Sequence, residues 1–486
     1  MTELLGSPDA LLAEGKAMAV DLAMRALDKI PAYRAHIGHQ TVGNWDDFAA
    51  LPTTSKQNYL KLHPLADLCW NGVLDQPSMV CSTSGSTGEP FYFPRSSALA
   101  EGLAEIYGPF LRRSSYGAGP TLAIVAFGMG VWIGGTITVR ALEIVQERDG
   151  FPVSILPTGV NQVEILSALK CLAPQYGQTV LYGYPPFVRE VLVRAESEGI
   201  DLAALNLRLS FAAEAFSDDF RDFVCQVGAV RNPLVDTLNV YGSADLGGMA
   251  AETPTSILLR SVARQDPDLF ERLFGEIDRT PTVAQFAPDR ILFEALEGEL
   301  AITGDSSLPL IRYRIGDKGG VLSFAEAQGH LAAAGLDLEV LCREAGIETD
   351  RRPFVYVYER IDLSCSLYGL IVYPEYLKHG LESHVRQAGV TGKFTMTTTY
   401  TAEQEQYLEV YVEALGHADL DTAPDIEASL VHGLMKQSSE FRELHTQLGE
   451  GRRLVRVTLC DRGSAPHFLP GGKQRWAIPG QKELSE

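Results

Sequence analysis

At 486 residues the chain is too long for one compact core, so two or three domains are expected. Hydrophobic residues make up 45% and charged residues 21%, an ordinary globular balance. The formal charge of −21 argues against nucleic acid or an anionic membrane as partner, since both demand a cationic surface. Seven scattered cysteines without a C-x-x-C, and a start (Met1-Thr2-Glu3-Leu4-Leu5) without a signal-peptide signature, lead us to expect the reducing cytoplasm. No H-E-x-x-H occurs, no Cys or His falls between Val240 and Glu299, and no zinc is expected.

In chain order, Leu11, Leu12, Met18, Ala19, Leu22 and Ala26 recur at helical spacing and predict an amphipathic helix over 9–28. Ser78-Met79-Val80-Cys81 reads as a strand, and Ala98–Ala104 as a helix. Between them lies Ser82-Thr83-Ser84-Gly85-Ser86-Thr87-Gly88-Glu89-Pro90. Gly85 and Gly88 permit close backbone approach, and the hydroxyls and successive amides form an anion-binding concavity. It is not a Walker loop, because Glu89 stands where the lysine belongs.

Residues 121–139 are long, apolar and uncharged, yet Gly128, Gly130, Gly134 and Gly135 make them a poor membrane anchor. A buried strand-turn-helix lining a pocket is expected there instead. Strand-like runs at 121–126, 153–156, 179–182, 207–212 and 237–240 alternate with helical runs at 163–171, 186–197 and 218–227. That alternation predicts a substantially parallel sheet wrapped by helices, an α/β fold. Residues 255–290 read as an insertion with a helix around 268–274, and strand-rich sequence resumes over 290–314. Strand-like runs at 393–400, 408–413 and 455–459 indicate a small α+β domain at the C-terminal end.

The hydroxyl-rich bend resembles the phosphate-binding signature S-G-[ST]-T-G-[KE]-P of adenylate-forming enzymes, most of all in the phenylacetate-CoA ligase branch. Further strings follow in that superfamily's order. Phe211-Ala212-Ala213-Glu214-Ala215-Phe216-Ser217 resembles G-A-E-P-[WF]-[ST], and Tyr241-Gly242-Ser243-Ala244-Asp245 resembles Y-G-x-[ST]-E. Gly298-Glu299-Leu300-Ala301-Ile302-Thr303 and Pro309-Leu310-Ile311-Arg312-Tyr313-Arg314-Ile315-Gly316-Asp317 resemble G-E-L-x-x-T and P-[LV]-I-R-Y-R-[TI]-G-D. Arg360-Ile361-Asp362 resembles the hinge string G-R-x-D, and Gly472-Lys473-Gln474-Arg475 the terminal G-K-x-x-R.

The resemblance implies a large N-terminal domain over 1–357 and a small mobile domain over 358–486. Ser84, Gly85, Ser86, Thr87 and Gly88 would hold the phosphates of ATP. Ala213 and Glu214 would lie along adenine, Tyr241 would stack on it, and Gly242 would admit it closely. Asp317 would accept the ribose hydroxyls and Arg360 would reach the ribose. Asp245 would bind Mg²⁺, Asp362 would be the hinge, and Lys473 would be the catalytic lysine bridging carboxylate and α-phosphate. Phe127, Met129 and Trp132 occupy the stretch that lines the acid pocket, where glycines between large side chains leave a slot for a planar, aromatic acid.

The activity so implied is ATP-dependent activation of a carboxylic acid, followed by transfer to a thiol, with CoA the default acceptor. A carrier protein or an amine stays open as acceptor, as does a homodimer. Ala244 and Asp245 depart from the pattern, removing a hydroxyl and shortening an acid, and a catalytically silent nucleotide-binding homologue is the contrasting reading. Glu359 and Leu363 also depart from the hinge pattern.

Overall fold

The computed structural model describes residues 8–74, 79–82, 91–117, 119–130, 133–275, 280–358, 364–385, 389–415, 422–449, 451–468 and 476–478. Ser84 to Gly88, Trp132, Arg360, Asp362 and Lys473 therefore lie outside the described residues.

One sheet of eleven strands organises the large N-terminal part. Its parallel half runs, from the edge inward, Val153–Leu156, Thr121–Ala126, Gln178–Gly183, Leu207–Ala212 and Thr237–Ser243. Thr121–Ala126 and Gln178–Gly183 are buried at every position, which is why they read as continuous runs rather than alternating ones. The antiparallel half continues through Gly247–Ala251, Thr282–Gln285, Phe354–Tyr358, Leu310–Leu322, Glu299–Gly304 and Ile291–Leu296.

The helices between the parallel strands start where local chemistry dictates. Asn161 caps Gln162–Cys171 by accepting from the Glu164 amide at 3.1 Å, and Ser217 caps Asp218–Val227 by accepting from Phe220 at 3.2 Å. Pro185 opens Pro185–Ser197 at a position that has no use for an N–H. The leading helix is Pro8–Lys29. The region 255–290 holds Pro267–Phe274 as expected and also Pro254–Ala263, which Thr253 and Ser256 cap reciprocally.

Residues 121–139 contain the strand Thr121–Ala126 and the start of the helix Ile133–Asp149. Among the described residues no helix is long and apolar enough to cross a membrane. All seven cysteines are free.

After Phe354–Tyr358 the chain leaves the large sheet. A short hairpin, Cys365–Leu367 with Leu370–Val372, leads into a three-stranded sheet of Val390–Tyr400, Gln406–Ala414 and Val455–Cys460. Helices Pro374–Val385, Ala423–Gln437 and Ser439–Leu448 complete this small α+β part. It shares one continuous apolar core with the parallel half of the large sheet, from Leu181 and Phe211 through Leu367 and Tyr368 to Leu430.

Candidate active site

The carboxyl ends of four parallel strands converge on one cavity, the place where open α/β sheets bind ligands. Phe127 and Gly128 follow one strand, Tyr184 the next, Ala212 and Ala213 the third, and Gly242 and Ser243 end the fourth. The cavity measures about 200 Å³. Leu103, Ile137 and Val240 keep its wall apolar, while Tyr368, Gly369, Glu440 and Leu444 close it from the small part. Tyr184 sets the wall's geometry: its Oη accepts from the Gly128 amide at 3.1 Å, and its ring meets Phe127 edge-on with centroids 5.1 Å apart. Burial pushes the Tyr184 hydroxyl up to about 12, so it stays protonated at neutral pH.

Beside the cavity stands a second group. Tyr241 Oη donates to Asp317 Oδ2 at 2.7 Å, joining residues 76 positions apart. Tyr241 also lies 6.1 Å from Phe293, ring to ring. Gly316, at φ 84°, takes the left-handed turn that delivers Asp317. Arg312 serves the scaffold: its guanidinium pairs with Glu294 at 3.1 Å and donates to the Leu51 carbonyl at 2.5 Å. With it, Thr54 bonds to the Arg312 carbonyl at 3.1 Å, fastening the lead-in segment to this strand.

Asp245 receives a 3.5 Å contact from Tyr313 Oη and lies in the field of Arg95. Arg95 is 3% exposed, stacks 4.3 Å over Phe93 and donates from Nη2 to the Ala244 carbonyl. Burial pulls Arg95 down to about 10, with Asp245 opposing that shift. This gives an acidic chain a local cation next to the Tyr241–Asp245 string. Among the described residues no group of three or more His, Cys, Asp or Glu gathers as a ligand set. A lone Asp245 suits Mg²⁺ only as one ligand among phosphate oxygens and water, which is how this hard cation commonly binds beside a triphosphate.

Two residues named from sequence face other tasks. The Glu214 carboxylate accepts from Gly369 N at 2.7 Å and Ser366 Oγ at 2.8 Å, so it pins the small part's hairpin. Met129 packs toward Gly135 and Gly159 instead of lining the cavity. Phe127, Ala213 and Gly242 do line it. Sequence reasoning passed over Tyr184, Arg95 and Glu440. Tyr184 carried a usable signal, an aromatic directly after a buried strand and before Pro185-Pro186. Arg95 and Glu440 gain meaning only from distant partners.

Ala213 occupies φ 76°, a left-handed conformation that costs a residue with a Cβ about 1–3 kcal/mol. Ala213→Gly is expected to raise stability by about 1 kcal/mol in denaturant unfolding, the relief of strain exceeding the added chain entropy. A destabilised variant would mean that the Cβ makes a contact outweighing the strain.

The sequence matches no protein-family profile and no curated protein. Solved structures do match. 2-Hydroxyisobutyryl-CoA ligase with 2-HIB-AMP and CoA, in the thioesterification state, superposes with a TM-score of 0.64 at 15% identity, covering 98% of this chain and 91% of that chain. This chain has the fold of that ligase. The same ligase in its postadenylation state with R3-HIB-AMP gives 0.51 at 16% identity, over 97% and 89% of the two chains. Its open conformation with 2-HIB-AMP and CoA gives 0.50 at 15%, over 97% and 91%.

Proposed function

We propose that this protein activates a carboxylic acid with ATP, releases pyrophosphate, and passes the acyl group from the adenylate to a thiol, with CoA the acceptor. One observation carries the reading: an apolar cavity at the carboxyl ends of parallel strands is closed by a small second part, and its wall includes Val240 and Gly242, the neighbours of the Tyr241 that bonds to Asp317. The acid would lie against Phe127 and Tyr184, whose flat faces favour an aromatic ring. Its carboxylate would point toward Gly242 and Ala244. Adenine would lie against Tyr241, and Asp317 would take the ribose hydroxyls. Among the superfamily's branches, the motif strings favour that of the phenylacetate-CoA ligases.

The chemistry needs two displacements. A carboxylate oxygen attacks the α-phosphorus and pyrophosphate leaves; then the thiol sulfur attacks the acyl carbon and AMP leaves. Growing charge in the first step falls to Lys473, to the Ser84–Gly88 bend and to Arg95, and ATP would bring Mg²⁺ to Asp245. The second step calls for a different placement of the small domain, for which Asp362 would be the hinge. The higher likeness to the thioesterification state than to the postadenylation state of one and the same ligase supports reading the arrangement here as the transfer one.

Lys473→Ala is expected to lower acid-dependent AMP release by about 10²–10³-fold, the usual scale for removing one donor to transition-state charge. Measuring AMP release with and without CoA identifies the acceptor, since CoA-dependent turnover is expected. Equal turnover in the variant would contradict the role given to Lys473.

A further inference from the structure

We propose that Glu440 is the base that takes the proton from the acceptor thiol, reaching the cavity on the small domain only in the arrangement seen here. The inference rests on the two-step reaction proposed above. The helix Ser439–Leu448 begins at Ser438, whose Oγ accepts from the Phe441 amide at 3.1 Å, and it presents Glu440 and Leu444 to the cavity. Glu440 thus shares one chamber with Phe127, Gly128 and Tyr184 of the large domain.

Other carboxylates at this interface are fully engaged. Glu214 accepts from Ser366 and Gly369, and Glu190 accepts from Arg452, Tyr368 and Gln162. Among the described residues Glu440 accepts no hydrogen bond, although it is half-buried against an apolar wall. With no donor among the described residues holding it, the carboxylate is left available to a group that enters the cavity. Its electrostatic neighbours are Lys56 of the lead-in segment and the Tyr184 hydroxyl, on which Glu214 also acts. Burial pushes the carboxyl up to about 7 while Lys56 draws it down, which places it where a general base works best.

Recognition of the acid is the competing role for such a group. A residue carried on the small domain is badly placed for it, since the acid must be chosen before that domain takes up the transfer arrangement. The acceptor arrives only with that arrangement. As sulfur attacks the acyl carbon, the thiol proton passes to the Glu440 carboxylate. The carbon–sulfur bond forms, the bond from carbon to the AMP phosphate oxygen breaks, and AMP departs as the anion. Glu440 returns its proton to water when the small domain withdraws.

The test forms the adenylate on the full-length enzyme, using whichever acid gives the fastest pyrophosphate exchange, and then adds CoA. In the wild type, single-turnover transfer should fall as pH drops below about 7, because the base must be ionised. Glu440→Gln should transfer about 100-fold more slowly and lose that inflection, while exchange and the KM for the acid stay unchanged. Trifluoroethanethiol, more acidic than N-acetylcysteamine, should narrow the gap between variant and wild type. Transfer at the wild-type rate in Glu440→Gln would overturn the proposal, and so would a raised KM for the acid. Absence of exchange in the wild type with every acid would instead bring down the reaction it rests on.

Discussion

Arg452→Gln is expected to slow thiol transfer by about 10²–10³-fold while leaving acid-dependent pyrophosphate exchange intact. Arg452 of the small domain forms a two-pronged pair with Glu190 of the helix Pro185–Ser197, at 2.8 and 2.6 Å. Tyr368 donates to the same carboxylate at 2.8 Å and Gln162 at 2.8 Å. The pair is nearly sealed from solvent, with side-chain exposures of 12% and 4%. Removing one member of a buried pair costs about 3–5 kcal/mol, mostly because the other charge stays buried alone. On the proposed two-arrangement reaction that cost would fall on one arrangement only: with the small part rotated away Glu190 would meet water, so the transfer arrangement would be depopulated and the adenylating one spared. A variant in which both half-reactions drop together would show that the pair supports the fold generally and does not latch the domains.

Glu252→Gln is expected to destabilise the large domain by about 3–5 kcal/mol in denaturant unfolding. Glu252 follows the strand Gly247–Ala251 and is fully buried between two arginines, at 2.6 Å from Arg221 and 3.0 Å from Arg260. Arg260 also reaches Asp218 at 2.6 Å. Two guanidinium groups thus share two carboxylates, and neutralising Glu252 leaves a net buried charge. The network braces the strands behind the site, since the Glu252 amide donates to the Asn239 carbonyl at 2.8 Å and Asn239 reaches the Glu214 carbonyl at 3.3 Å. Glu299→Gln is the control. Its pair with Arg314 at 3.2 Å is partly exposed, and its loss should cost no more than about 1 kcal/mol. Equal losses in the two variants would contradict the buried-network account.

Most of the parallel half of the sheet was legible, though Gln178–Gly183 and Thr237–Ser243 extend past the expected 179–182 and 237–240. Thr121–Ala126, Val153–Leu156 and Leu207–Ala212 form where their apolar runs lie; the first and last are buried almost throughout, while Val153–Leu156 is the edge strand with Ser154 exposed. The helix Pro254–Ala263 was not legible. It buries Thr255, Ser256 and Arg260 along with Ile257 and Leu259, so it has no apolar stripe to read. At the site, motif order pointed to Tyr241 and Asp317, and the sheet brings them into contact. Spacing could not show that Glu214 would turn to the hairpin, since that depends on how the small domain docks. The same holds for Glu440, a first-turn helix glutamate like many others until the cavity it faces is known.

Acid-dependent ATP–pyrophosphate exchange, run over a panel of aryl, heteroaryl and aliphatic carboxylic acids, tests the central claim most directly. Exchange is expected with at least one acid, fastest among the aromatic ones, and independent of CoA. No exchange with any acid, together with no acid-dependent release of AMP, would contradict it.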